Sequence, residues 1–219
     1  TDTFNGVVLD NDDTTTLTVV GSVTAAADLV TGNITGSDSL TSASITTGTN
    51  GADATVGTLA DADSLTSLTI TADNGDATIG DVGGTGSGEN LASVTLSATN
   101  GATATLGVTT ADTTNSASDL AMTVTAATES GASVVLGTIT NTFGTTTANV
   151  SGGGTTGATA ITSDDVTLNI TGGGGTYATI TASDDFNATI ANTAAAAITT
   201  LAIGTTTAAS TDITATGAG

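Results

Sequence analysis

Lysine, arginine and histidine are absent from this chain of 219 residues, against 21 aspartates and glutamates. No side-chain salt bridge can form. No side chain can neutralise a phosphate, which excludes nucleic acid as a partner and disfavours anionic membrane surfaces. Cysteine is absent as well, so disulfides and Cys–His nucleophile pairs are excluded. Without lysine, Lys–Asn isopeptide links cannot form, and trypsin-like proteases find no cleavage site. Aromatic and sulfur side chains are reduced to Phe4, Phe143, Phe186, Tyr177 and Met122. Alanine, valine, isoleucine and threonine fill a wide globular core poorly, whereas a narrow bore needs nothing bigger. No apolar run approaches the roughly 18 residues of a transmembrane helix. The chain begins at Thr1 without the charged start of a signal peptide, so a processed chain or a piece of a longer one is expected.

What is present is repetition. Leu40-Thr-Ser-Ala-Ser-Ile45, Leu65-Thr-Ser-Leu-Thr-Ile70 and Leu91-Ala-Ser-Val-Thr-Leu96 begin 25 and 26 residues apart. Each block leads to Asn50-Gly51, Asn74-Gly75 or Asn100-Gly101, then closes on Ala54-Thr-Val56-Gly57, Ala77-Thr-Ile79-Gly80 or Ala104-Thr-Leu106-Gly107. Apolar residues fall on alternate positions, the period of a strand, and Asn-Gly supplies the φ > 0 of a tight turn. A unit this short cannot bury its own apolar face, so it stacks on its neighbours. The fold class expected is all-β, a parallel β-solenoid with rungs of about 20–30 residues, with Ile45, Ile70 and Leu96 in one inward column. The alternative is a β-sandwich, where Asn-Gly hairpins also recur. Positive mean hydropathy and regular alternation oppose a disordered acidic chain.

A fourth rung runs from Leu120 to Gly137, with an extra residue at Thr128-Glu129-Ser130. Later the period shortens, because Ser163-Asp-Asp-Val166 recurs as Ser183-Asp-Asp-Phe186. One continuous solenoid over residues 1–219 is the simplest description. Residues 1–14 form a lead-in strand or cap, and 205–219 a weakly patterned tail that pairs with another chain or stays mobile.

An acidic residue precedes nearly every lead strand: Asp38, Asp63, Glu89, Asp119, then Asp164-Asp165 and Asp184-Asp185. Stacked about 4.8 Å apart, two carboxylates repel by roughly 1 kcal/mol in bulk water and roughly 3–4 kcal/mol at an effective dielectric near 20. With no organic counter-charge, Ca²⁺ is the expected cofactor, since it accepts oxygen ligands in irregular geometry. Asp10, Asp12 and Asp13 form a second cluster of this kind. The opposing expectation is that these acids are splayed into solvent and screened by salt. Gly83-Gly-Thr-Gly-Ser-Gly-Glu-Asn-Leu91 begins like a calcium-binding glycine-rich nonapeptide, but Gly88 stands where that motif has aspartate and no tandem copy follows. A P-loop is impossible without lysine.

Catalysis is not expected, since the basic and aromatic side chains that sugar-cleaving solenoids use are missing. The pairs Asp61/Asp63 and Asp73/Asp76 could in principle act on a glycoside, but such turn acids are ordinarily solvated. Asn-x-Ser/Thr sequons stand at Asn33, Asn149, Asn169 and Asn187.

The rungs Leu65-Thr-Ser-Leu-Thr-Ile-Thr-Ala and Asn90-Leu-Ala-Ser-Val-Thr-Leu-Ser-Ala, with the Ala/Thr/Gly/Asp bias and no cysteine, resemble bacterial surface-layer proteins secreted by a type I route. They are similar also to the Thr-rich repetitive adhesins of that secretion class. The resemblance lies in motif over residues 38–137 and in texture elsewhere. It implies an extracellular, cell-surface structural protein that self-assembles with calcium into a lattice or filament. An adhesin that binds carbohydrate or a cell-surface polysaccharide is the alternative it leaves. The pairs Thr69/Thr71, Thr95/Ser97, Thr123/Thr125 and Thr179/Thr181 also resemble the threonine ladders of ice-binding solenoids.

Overall fold

The computed structural model describes residues 2–4, 7–8, 14–21, 28–35, 38–47, 50–60, 62–83, 90–112, 119–127, 131–172, 175–192, 198–203 and 210–217. These are all-β, without a helix, and their strand pairs are parallel throughout. It follows that no helix among them is long and apolar enough to cross a membrane. Parallel neighbours need a long crossover, and here the crossover is the rest of the rung. The chain is a parallel β-solenoid with three faces. The sandwich alternative is excluded, because its hairpins would be antiparallel.

The first face stacks Thr16–Val20, Ser42–Thr46, Ser67–Asp73, Ser93–Thr99 and Leu120–Ala126. It continues through residues 145–152 and 165–170, then Asp185–Asn192 and Ser210–Gly217. The second face stacks Asp2–Phe4, Leu29–Thr31, Ala54–Val56, Ala77–Ile79 and Thr103–Leu106. The starts of the later strands Ser133–Gly152, Thr155–Ile170, Gly175–Ala182 and Ile198–Ile203 extend it. The third face begins narrowly, with Val7–Val8, Ile34–Thr35 and single bridges at Leu59 and Val82, and widens from Thr109–Asp112 onward.

Alternation along each strand sorts its side chains. Ile45 pairs with Ile70 and Ile70 with Leu96, all without solvent exposure, which is the inward column the repeat predicts. A second inner column runs Ala43, Leu68, Val94, Met122, Ala148, Leu168 and Ala188. It sets small residues beside large ones, the kind of interdigitation a close-packed interior requires. The Leu136–Ala158–Tyr177 column works in the same way, with alanine making room for the ring. Each fully buried Leu, Ile or Val contributes about 1.5–3 kcal/mol, summed along the stack.

Two kinds of corner turn the chain. Between the first and second faces, Asn74 and Asn100 take φ of 63° and 53°, and Gly51 and Gly101 take 77° and 80°. These left-handed positions favour Asn and Gly, so Asn-Gly here marks a solenoid corner and not a hairpin. Between the second and third faces, Gly57, Gly80, Gly107 and Gly137 stack on one another. A Cβ on Gly80 would stand 2.7 Å from the Gly57 carbonyl oxygen, and one on Gly107 would collide with Gly80.

From Ser133 onward the corners tighten and single strands, 20 residues in one case, bend around them. The rung shortens to 20 residues between Asp165 and Asp185, and Val166 pairs with Phe186 as the recurring Ser-Asp-Asp motif predicts. Residues 2–4 and 7–8 are strands of the stack. In the tail expected to be weakly patterned, Ser210–Gly217 is a strand paired with Asp185–Asn192. The turn at Thr128-Glu129-Ser130 lies outside the described residues.

Candidate functional site

The structure brings together only part of the expected acidic column. Asp38 and Asp63 are exposed, each in a turn four residues before the paired Ser42 and Ser67. Asp119 belongs to a different register: Leu120 pairs with Thr146, which places Asp119 beside Thr145. Thr145 then pairs with Asp165, Asp165 precedes the Val166–Phe186 pair, and Asp185 pairs with Ser210. A threonine therefore interrupts the column, and Ser210 ends it. Glu89 and the cluster Asp10, Asp12 and Asp13 lie outside the described residues, as does Asp61. So does most of the glycine-rich Gly83–Leu91 segment. Among the described residues no group of three or more carboxylates is placed to hold a metal ion.

Backbone N–H groups answer some of these carboxylates. The Thr145 N–H donates to Asp119 Oδ1 at 3.2 Å, and the Asp185 N–H to Asp165 Oδ1 at 2.9 Å. The Ser210 hydroxyl lies 2.8 Å from Asp185 Oδ1. The same device forms a ladder at the entry to the second face. Asp28 Oδ1 accepts the Asp53 N–H at 3.3 Å, Asp53 Oδ1 the Asp76 N–H at 2.8 Å, and Asp76 Oδ1 the Thr103 N–H at 2.7 Å. At the entry to the third face Asn33 Oδ1 accepts the Thr58 N–H, and Asp81 Oδ1 the Val108 N–H. Asp73 Oδ1 accepts from Asn74 Nδ2, Thr99 Oγ1 and Asn100 Nδ2. Sequence reasoning misses the Asp28–Asp53–Asp76 ladder. Its signal is nonetheless there, since Asp53 and Asp76 directly precede Ala-Thr-aliphatic-Gly.

Asp164, Asp165, Asp184 and Asp185 form a carboxylate patch on adjacent rungs. The Asp184 N–H donates to the Asp164 carbonyl at 2.8 Å, which stacks the two residues. The Asp184 carboxyl is raised above its ordinary range, first by the Asp185 charge, then by desolvation and by Asp165 and Asp164. Among the described residues, buried polar side chains hydrogen-bond one another in two places. Thr156 Oγ1 and Tyr177 Oη share a hydrogen bond of 2.9 Å, both buried. Thr146 Oγ1 donates to Ser163 Oγ, which donates to the Gly144 carbonyl, and Asn141 Nδ2 reaches Thr146 Oγ1.

Thr69/Thr71, Thr95/Ser97 and Thr123/Thr125 stand in register on the outer side of the first face. Thr179/Thr181 belongs to the third face, where Thr181 continues a column through Thr162 and Thr140. Of the sequons, Asn149 and Asn169 stack on the first face, with Asn169 Nδ2 donating to Asn149 Oδ1 at 3.0 Å. Asn187 is exposed on that face, and Asn33 holds its corner. Compared with protein-family models, with curated proteins and with solved structures, the chain matches none.

Proposed function

We propose that the chain is a structural extracellular protein, a subunit of a cell-surface layer or filament whose copies are bridged by Ca²⁺. The observation that carries this reading is the patch of Asp164, Asp165, Asp184 and Asp185, crowded enough to raise Asp184, in a chain without one basic side chain. A second copy approaching such a surface meets only like charge, and mobile cations are the available neutraliser. Carboxylates from two copies would give an oxygen-only, irregular ligand set, which suits Ca²⁺ better than Mg²⁺. Because no three carboxylates of one chain are placed to hold a metal ion among its described residues, the ion belongs between copies.

The test is light scattering and thermal unfolding during a chelator titration. Chelator should disperse the assembly while moving the melting temperature of the dispersed chain little. Ca²⁺ should restore assembly at lower concentration than Mg²⁺, and Asp164→Asn with Asp184→Asn should raise the concentration needed. Assembly that persists in chelator, or a chain that stays monomeric in Ca²⁺, rejects the reading.

A further inference from the structure

The first face carries more than its charge-bearing margins. Its strand pairings run from Thr16–Val20 to Ser93–Thr99 and Leu120–Ala126 without a register shift, and again through residues 146–152. Rungs lie about 4.8 Å apart, and outward residues recur about every 6.6 Å along a strand. The surface is therefore a two-dimensional lattice of side chains. Its three central outward columns hold Ser, Thr, Asn and Ala from Ser42 to Ala191, and the first carboxylate in them is Asp212. In a chain with 21 acids that is a marked exclusion. Asp73 on one side and Asp165 and Asp185 on the other stand at the margins. The hydroxyls of Thr69, Thr71, Thr95, Ser97 and Thr123 make no hydrogen bond among the described residues, and each side chain is at least partly exposed.

A single hydroxyl that exchanges water for a ligand gains little, about 0.5–1.5 kcal/mol. A rigid array gains the sum of many such terms without an ordering cost of its own, provided the partner is rigid, uncharged and periodic too. A sugar crystal presents ring faces, which call for aromatic platforms, and these columns hold no aromatic residue. Crystalline water meets every condition: each surface molecule donates or accepts, as a threonine hydroxyl does, and its rows repeat close to the strand spacing. We propose that the first face binds the surface of ice. This goes beyond assembly and does not depend on it.

The experiment uses the folded full chain, dispersed in chelator so that failure of the assembly reading leaves the result untouched. Ice-crystal shaping, thermal hysteresis and partition into growing ice are measured for the wild type, Thr95→Tyr, Thr123→Tyr and the third-face control Thr162→Tyr. Circular dichroism identifies the variants that fold. The wild type should shape ice and enter it. Either folded first-face variant should lose more than half of the hysteresis, and the control should keep it. A folded wild type that neither shapes nor enters ice overturns the proposal, whatever the variants do. So does equal activity in the first-face variants. Concentration-dependent dimerisation that Thr95→Tyr abolishes would assign the face to a second copy, and would also overturn it.

Discussion

At the scale of single residues, the chain solves an electrostatic problem with its own backbone. Stacked carboxylates repel, and there is no lysine or arginine to separate them. The Asp28–Asp53–Asp76–Thr103 ladder gives each carboxylate an N–H from the next rung, a charge-assisted bond that also satisfies a corner donor. What the site needs is an acceptor oxygen, not a charge, because Asn33 does at one corner what Asp81 does two rungs later. Asp76→Ala is therefore expected to cost about 1 kcal/mol by stranding the Thr103 N–H. Asp76→Asn should cost nothing measurable, since the oxygen remains and one repulsion disappears. Urea unfolding of the two variants checks this, and equal losses would show that the negative charge itself matters. Sequence points to acids ahead of the lead strands. Which oxygen meets which N–H depends on the spacing to the paired strand: Asp119 directly precedes the paired Leu120 and stands beside Thr145, whereas Asp38 stands four residues before the paired Ser42.

At the scale of elements, alternation and Asn-Gly steps make the first and second faces legible in the sequence. Ile45, Ile70 and Leu96 stack as the period requires. The third face is illegible there for a physical reason. In the early rungs it is a single bridge at Leu59 or Val82, too short to show any period. The glycines that close each second-face strand are visible as a repeat, but their necessity shows only when rungs are stacked. Two glycines separate close approach from backbone conformation. Gly107 has the Gly80 backbone where its Cβ would go, whereas Gly51 has φ of 77° and only the Asn74 carbonyl oxygen at 3.5 Å. Gly107→Ala must push rungs apart, costing about 1–3 kcal/mol. Gly51→Ala should cost about 1–2 kcal/mol through its left-handed backbone alone. Melting temperatures give the totals. Hydrogen exchange separates the causes: only Gly107→Ala should loosen amides in the adjoining rungs near Gly80 and Gly137. Protection left intact there would mean that the overlap is relieved locally.

At the scale of the whole molecule, a charge of −21 makes stability a matter of screening and of very few protons. Asp184 binds its proton more tightly in the folded chain because Asp185 and its other neighbours repel its charge. Its repulsion is thus relieved as pH falls through the folded value and present in full above it. The group is exposed, and salt with a Debye length of about 8 Å screens it. Above the carboxylates no side chain titrates except tyrosine, and Tyr177 is the only one, since histidine, cysteine and lysine are absent. Burial raises its phenol above the ordinary 10.0, and the hydrogen bond shared with Thr156 offsets part of that rise. The folded chain therefore holds this proton at pH values where the unfolded chain releases it. Stability tied to Tyr177 is complete below about pH 10 and declines as pH climbs from there through the folded value. Melting temperature measured at fixed ionic strength should be level from about pH 7 to 9 and fall beyond about 10. Tyr177→Phe should lower the plateau by leaving Thr156 Oγ1 without its buried partner, yet flatten the alkaline limb. A variant that still melts lower with rising alkalinity, in parallel with the wild type, would place the loss in the backbone or the N-terminal amine and not in the buried phenol.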